Sequence, residues 1–237
     1  MSSVRPTPIP ANPLLSVVMP VYNERTTVEE IIRRVLAVPL RIELIVVDDG
    51  SKDGSGEILD GLQKELGFKL LRQANAGKGA ALRKGFEAVT GEMVIIQDAD
   101  LEYSPEEYPD LIELICKNQA DVVYGSRFLG RHRVFLFTHY LGNRVVTLAT
   151  NILYNTMLTD METCYKVMRT EVLRSMTLRS NGFGIEPEMT AKIFKRGYRV
   201  YEVPITYDGR GYEEGKKIGW RDGVVALWVL VRYRFSE

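Results

Sequence analysis

An α/β fold with a mostly parallel, doubly wound sheet and helices on both faces is what this sequence predicts, and three observations predict it. Short, nearly continuous apolar runs at Leu14–Met19, Ile42–Val47 and Met93–Ile96 suit strands buried on both faces. Segments of helical periodicity separate the runs, so that the pattern repeats roughly every thirty residues, as right-handed strand–helix–strand crossovers require. The first, second and fourth strands each run into a polar, acidic stretch: Pro20-Val21-Tyr22-Asn23-Glu24, Asp48-Asp49-Gly50-Ser51-Lys52-Asp53-Gly54 and Gln97-Asp98-Ala99-Asp100. Open sheets of this kind bind ligands beyond the carboxyl ends of their strands, which gathers Asn23, Glu24, Asp48, Asp49, Asp98 and Asp100 on one rim.

Each element has its own signal. After the first strand, Thr27 and Glu30 have capping-box spacing, and Val28, Ile31, Ile32, Val35 and Leu36 mark one helical face. After the second, Ile58, Leu59, Leu62 and Leu66 do the same. A third strand is expected near Phe68–Arg72, and Asn75-Ala76-Gly77-Lys78-Gly79 opens a helix with Leu82, Phe86 and Val89 inward. Beyond the Met93 strand, Ser104 and Pro105 read as cap and first helical residue, followed by Leu111, Leu114 and Ile115. A fifth strand is expected at Asp121–Gly125.

Composition excludes several classes. The 237 residues carry 31 basic and 31 acidic side chains, so no net field points to nucleic acid. Cys116 and Cys164 lie far apart, without metal-ligand spacing, and read as buried apolar residues of a protein in a reducing compartment. The proline-rich residues 1–13 read as a flexible leader with no apolar signal core, and the expected location is cytoplasmic. Nothing in the composition sets an oligomeric state.

The chemistry centres on Met93–Glu102. On an extended backbone Asp98 and Asp100 point to the same side with only the Ala99 methyl between them. Mg²⁺ takes near-octahedral oxygen coordination, commonly from one or two carboxylates and substrate phosphates, so this pair predicts a metal–diphosphate site with Glu102 as a further oxygen ligand. A solvated acidic turn is the alternative for an isolated pair. Neither a G-x-G-x-x-G fingerprint nor a P-loop is present. Gly77-Lys78-Gly79 supplies glycines that let backbone approach a ligand and one positive charge at a helix N-terminus.

Pro20-Val21-Tyr22-Asn23-Glu24, Val47-Asp48-Asp49-Gly50-Ser51-x-Asp53, Gly77-Lys78-Gly79-Ala80 and Asp98-Ala99-Asp100, in this order, resemble glycosyltransferase family two, and within it the polyprenyl-phosphate glycosyltransferases. The likeness runs over about residues 15–217 and extends through Gly125-Ser126-Arg127. It implies a GT-A fold, an inverting transfer, and Mg²⁺ or Mn²⁺ on the diphosphate of a GDP- or UDP-hexose, mannose or glucose being the expected sugars. It also implies that the first two loops hold base and ribose. The expected nucleotide-sugar contacts are therefore Pro20, Val21, Tyr22, Asn23, Glu24, Val47, Asp49, Gly50, Ser51, Gly77, Lys78, Gly79, Gln97, Asp98, Ala99 and Asp100.

The acceptor divides two readings. A phosphomonoester is largely ionised at neutral pH, with a second pKa of about 6, and needs no base. A hydroxyl needs one, and Glu162 or Asp160, about sixty residues past the Asp-x-Asp, is the candidate. The lipid-phosphate synthases carry Asp-x-Thr-Ser-Gly-Phe-Arg near here, whereas this chain reads Asp160-Met161-Glu162-Thr163-Cys164-Tyr165-Lys166. Arg127, Arg131, Arg133 and Arg144 favour a phosphate, because guanidinium groups match its oxygens. Asp208–Lys217, with Arg210 and Lys216, resembles the basic loop that closes over the phosphates in those synthases. The leading expectation is hexose transfer to dolichyl or undecaprenyl phosphate, with Asp98, Asp100, Arg127, Glu162, Arg210 and Lys216 in the catalytic set. The rivals are transfer to a hydroxyl, a nucleotidyltransferase, and a nucleotide-sugar sensor.

A GT-A unit is expected over residues 14–217, followed over 218–237 by an amphipathic helix. Its stripe of Trp220, Val224, Leu227, Trp228, Val231 and Phe235, flanked by Arg221, Arg232 and Arg234, suits either the protein's own core or a membrane surface on the cytoplasmic side. Leu141, Val145, Leu148 and Ile152 form a second stripe, either its partner or another membrane contact.

Overall fold

The computed structural model describes residues 7–133, 137–209 and 220–236. Its strands are β1 (Leu14–Val21), β2 (Arg41–Asp48), β3 (Lys69–Arg72), β4 (Met93–Ile96), β5 (Val122–Ser126), β6 (Lys166–Arg169) and β7 (Val200–Pro204). They form one seven-stranded sheet in the order β3-β2-β1-β4-β6-β5-β7. The first four are parallel, Val17 lying beside Leu44 on one side and Ile95 on the other. β6 is antiparallel to both β4 and β5, and β7 returns parallel to β5.

The mixed half departs from a simple alternation of five strands. β6 escapes the hydropathy pattern because its ends are Lys166 and Arg169, both fully buried. Arg169 is held there by the carbonyl of Thr7 at 2.7 Å, the Asn118 side chain at 2.8 Å and the Asp121 carboxylate at 3.5 Å. A buried charge with several partners is tolerated in a strand that no apolar run announces.

The helices are α1 (Val28–Ala37), α2 (Ser55–Leu66), α3 (Lys78–Glu87), α4 (Tyr108–Cys116), α5 (Phe137–Tyr154), α6 (Thr170–Arg174), α7 (Ile185–Lys195) and α8 (Trp220–Phe235). β1 to β2 and β3 to β4 step across the sheet in opposite directions, so right-handed crossovers place α1 and α3 on opposite faces. α1 buries Val28, Ile31, Ile32 and Val35 as its periodicity requires. α3 approaches β1 at Gly85, where a Cβ would collide with Val18. Pro105 starts a short 3₁₀ turn (Pro105–Glu107) that leads into α4.

Four expectations are corrected or sharpened. Thr27 caps nothing with its side chain: its hydroxyl donates instead to the Ala99 carbonyl at 2.8 Å, tying the start of α1 to the acidic loop after β4. Ser104 stands at the expected N-cap position ahead of Pro105 but likewise makes no side-chain cap bond. Cys116 is exposed at the end of α4, while Cys164 is buried. In α8 the core face is Ala226, Val229, Leu230 and Tyr233, packed on α5 and α7, with the Tyr154 hydroxyl donating to the Leu230 carbonyl at 2.7 Å. Of the expected stripe, Val224, Trp228, Val231 and Phe235 are exposed, Phe235 by 82%, while Leu227 is partly buried against the core. On α5, Leu141, Val145, Leu148 and Ile152 are exposed as well. Among the described residues no helix is long and apolar enough to cross a membrane.

Candidate active site

The loops after β1 and β2 hold each other. Asn23 takes a left-handed backbone (φ 54°), donates its amide to Ser51 Oγ at 3.1 Å and accepts the Lys52 amide at 2.8 Å. Asp48 accepts the Ser51 amide at 2.9 Å. Arg25 donates its amide to Asp53 at 3.0 Å, and the Glu24 amide reaches Ser55 Oγ at 3.0 Å. Burial opposes the charge of Asp53, yet the hydroxyl and amide of Ser55 and the Arg25 amide hold its carboxyl below the usual range. Gly50 (φ 74°) is needed where it stands, because a Cβ there would lie 2.9 Å from the Asn75 amide nitrogen.

Several expected nucleotide contacts serve this scaffold. Val21, Val47 and Ala99 are buried side chains, and Pro20 sits beside Val47 in the β1–β2 ladder. Asp49 spends both oxygens on the segment before α3, taking Gln73 Nε2 at 2.7 Å and the amides of Ala76 and Gly77 at 2.9 and 2.8 Å. Gln97 is fully buried, its Oε1 accepting the hydroxyls of Tyr108 and Tyr165 at 2.6 and 2.7 Å. These residues shape the rim; Tyr22, Asn23 and Ser51 lie on it with side chains at least partly accessible.

Gly77 and Gly79 each stand against another stretch of the chain. The backbone they admit is the protein's own: a Cβ on Gly77 (φ 96°) would lie 2.6 Å from the Asn181 carbonyl, and one on Gly79 would strike Ser180. The Ala80 amide donates to that Asn181 carbonyl at 3.0 Å. The 180–182 loop thus fixes the first turn of α3 and with it Lys78. The Lys78 ammonium bridges Asp98 (2.8 Å) and Glu186 (2.9 Å). Burial opposes its charge, but those two carboxylates raise its pKa well above the ordinary lysine value.

The acidic loop after β4 brings Asp98 and Asp100 to the same rim. Asp100 Oδ1 accepts the Glu102 amide at 3.3 Å. Glu102 Oε2 takes the Tyr207 hydroxyl at 2.8 Å, so the third expected metal ligand is turned toward β7's outgoing loop. Among the described residues no group of three or more metal-type ligands converges. Two carboxylates with diphosphate oxygens and water still fit a hard divalent cation.

A layer of buried charge lies behind the rim, and the sequence reading found only part of it. Asp160 is fully buried in a two-pronged pair with Arg127 (2.7 and 2.8 Å), with Asn143 donating at 3.1 Å. Despite burial, Arg127 holds the Asp160 carboxyl below the usual carboxylate range. Arg127 also lies 5.2 Å from the Tyr207 ring centre. Glu162 stands in the loop before β6; burial and the negative charge of Glu186 push it up to about 7. Lys166 donates to the carbonyls of Met161 and Thr163 and sits 4.9 Å from the Tyr124 ring centre; burial lowers its pKa. Glu186, Lys166 and Tyr207 were missed because single residues on separate elements carry no spacing signal.

Of the four arginines, Arg127, Arg131 and Arg133 lie about Tyr207. Arg131 and Arg133 are exposed near Tyr207, and Arg144 is exposed on α5 beside Tyr140. Arg210 and Lys216 lie outside the described residues, as does most of the expected basic loop.

The family model described as glycosyl transferase family 2 matches residues 16–177. The chain is 32% identical over 212 residues to a dolichol-phosphate mannosyltransferase of Pyrococcus furiosus, covering 86% of this chain and 59% of that protein. It is 30% identical over 214 residues to a polyprenol monophosphomannose synthase of Mycolicibacterium smegmatis, covering 86% and 80%. This chain therefore spans under two thirds of the first relative and more of the second. Among solved structures it is similar to a glucosyl-3-phosphoglycerate synthase from Mycobacterium tuberculosis in complex with Mn²⁺, UDP-glucose and phosphoglyceric acid. Identity there is 21% and the TM-score 0.73, over 94% of this chain and 80% of that one, a likeness that establishes the α/β, GT-A type of fold.

Proposed function

Because the chain belongs to glycosyl transferase family 2, we propose that it transfers a hexose from a nucleotide diphosphate sugar to a polyprenyl phosphate, with inversion at the sugar carbon and with Mg²⁺ or Mn²⁺. The observation that carries the lipid acceptor is the outward apolar face shared by α5 and α8, where Phe137, Ile152 and Phe235 are exposed by 74%, 72% and 82%. A surface of that kind, flanked by Arg144, Arg221, Arg232 and Arg234, suits a helix pair resting in a membrane interface. The proposed units are a transferase over 14–217, following a leader at 1–13, and an interfacial helix over 218–237.

The donor half rests on the rim. Asp98 and Asp100 would hold the divalent ion, which when bound supplies Lewis-acid stabilisation of charge on the leaving diphosphate. Lys78, kept charged by Asp98 and Glu186, adds positive charge at the first turn of α3. The loops carrying Asn23 and Ser51 are braced before ligand arrives, so little ordering is left for binding to accomplish. A phosphate acceptor attacks without proton removal.

Glu162 favours a second reading, a hydroxyl acceptor. A carboxyl poised at about 7 suits a general base, whereas Asp160, locked in its pair with Arg127, does not. The test is a panel of GDP- and UDP-hexoses with Mn²⁺, offered short polyprenyl phosphates and simple sugars, with products read by mass. A glycosylated lipid phosphate is expected; products formed only on sugar hydroxyls overturn the primary reading.

A further inference from the structure

Two buried carboxylate oxygens near the rim have no donor among the described residues: Glu162 Oε1 and Glu186 Oε2. Glu186 stands in the first turn of α7 with 3% exposure, and its other oxygen is taken by Lys78 at 2.9 Å. Lys78 in turn holds Asp98, so Glu186 is one ammonium removed from the proposed diphosphate site. An unmet carboxylate oxygen in a buried setting is costly, and something that donates a hydrogen bond belongs there.

The chemistry of the donor selects that group. A diphosphate offers only acceptors and negative charge, so it is repelled by these carboxylates. The nucleobase belongs by the same proposed reading to the loops after β1 and β2. A second cation would compete with two lysines already there, since Lys78 pairs with Glu186 and the buried Lys166 lies in the same layer. A pyranose attached to the diphosphate remains, and it presents several hydroxyl donors.

We propose that Glu186 anchors the donor sugar, its Oε2 accepting from ring hydroxyls, with Glu162 lining the same side. The inference rests on the donor reading above and adds a sugar-selecting residue to it. Lys78 then links the two halves of the donor, one carboxylate on its sugar side and one on its metal side.

The test is calorimetric binding of UDP, UDP-glucose, GDP and GDP-mannose with Mn²⁺ to the full chain and to Glu186→Gln, with thermal melting as the folding control. The expected result is a roughly 10- to 100-fold loss for the preferred sugar nucleotide, the cost of a hydrogen bond to a charged group. The matching nucleoside diphosphate should bind within about 2-fold of the wild type. Equal losses for both would make Glu186 a positioning residue acting through Lys78, and no loss for either would leave water as the donor; each overturns the proposal. Should the variant not fold, mono-deoxy analogues of the sugar nucleotide serve with the wild type. Loss of affinity at one or two ring positions is expected, and indifference at every position overturns the idea. If the wild type binds none of the four nucleotides, the donor reading itself fails and the sugar anchor falls with it.

Discussion

Lys78 does more than supply charge, since its ammonium fixes the Asp98 carboxylate and is itself fixed by Glu186. Asp98 thus shares one ammonium with Glu186 before a metal arrives, and Asp100 stands beside it on the same loop. Asp100→Asn should keep the fold and lower transfer by at least ~10², the scale of removing one electrostatic contact at a centre of developing charge. Turnover near wild type with metal still required would take the aspartate pair out of the chemistry. Glu162 makes a different prediction. Its folded pKa, about 7, lies above the unfolded value, so folding favours the protonated form and a penalty grows as pH rises from ~4.3 through that value. Glu162→Gln should melt higher than the wild type at pH 8 and alongside it at pH 4. With a phosphate acceptor the same variant should lose less than ~10-fold in rate. With a hydroxyl acceptor it should lose 10²–10⁴-fold, together with the rising limb near pH 7.

The start of α3 illustrates how an element is placed by another far along the chain. Gly77 and Gly79 read as ligand-binding glycines, yet the backbone pressed against them is that of residues 180–182, bonded to the Ala80 amide at 3.0 Å. Gly79→Ala should therefore act as overpacking against backbone, costing about 1–3 kcal/mol and roughly 2–12 °C of melting temperature. Nucleoside diphosphate affinity should fall with it, because Lys78 shifts. An unchanged melting point with lost affinity would show instead that the glycine faces ligand directly. α8 carries the complementary lesson. It is apolar nearly all round, with Ala226, Val229, Leu230 and Tyr233 inward and Val224, Val225, Trp228, Val231 and Phe235 outward. Periodicity alone could not say which side met the protein.

For the whole molecule, the question is what covers the outward side of α5 and α8. Cutting the chain after Gly219 is a poor probe, since it removes buried Leu230 and Tyr233 from the core. The paired substitutions Val224→Asp and Val231→Asp alter only the exposed side. They should abolish co-sedimentation with anionic liposomes and activity on long-chain lipid phosphate, while melting temperature and activity on a short, water-soluble acceptor stay close to wild type. Liposome binding that survives both aspartates would remove the membrane role from this face.

Local signals reached a definite depth. Apolar runs named β1, β2 and β4, periodicity named α1 to α3, and the clustering of carboxylates at strand ends located the rim, because each of these is written within a few neighbouring residues. The pairing of Lys78 with Asp98 was within reach on the same ground, both lying at the rim that the topology defines. The buried charge layer was not. Glu186 meets Lys78 across 108 residues of chain, Arg169 hides a strand among partners as distant as Thr7, and Tyr207 bonds Glu102 from 105 residues away. Such contacts exist only once the sheet has closed, for the energy that holds an ion in a low-dielectric interior comes from partners that no sequence spacing brings together.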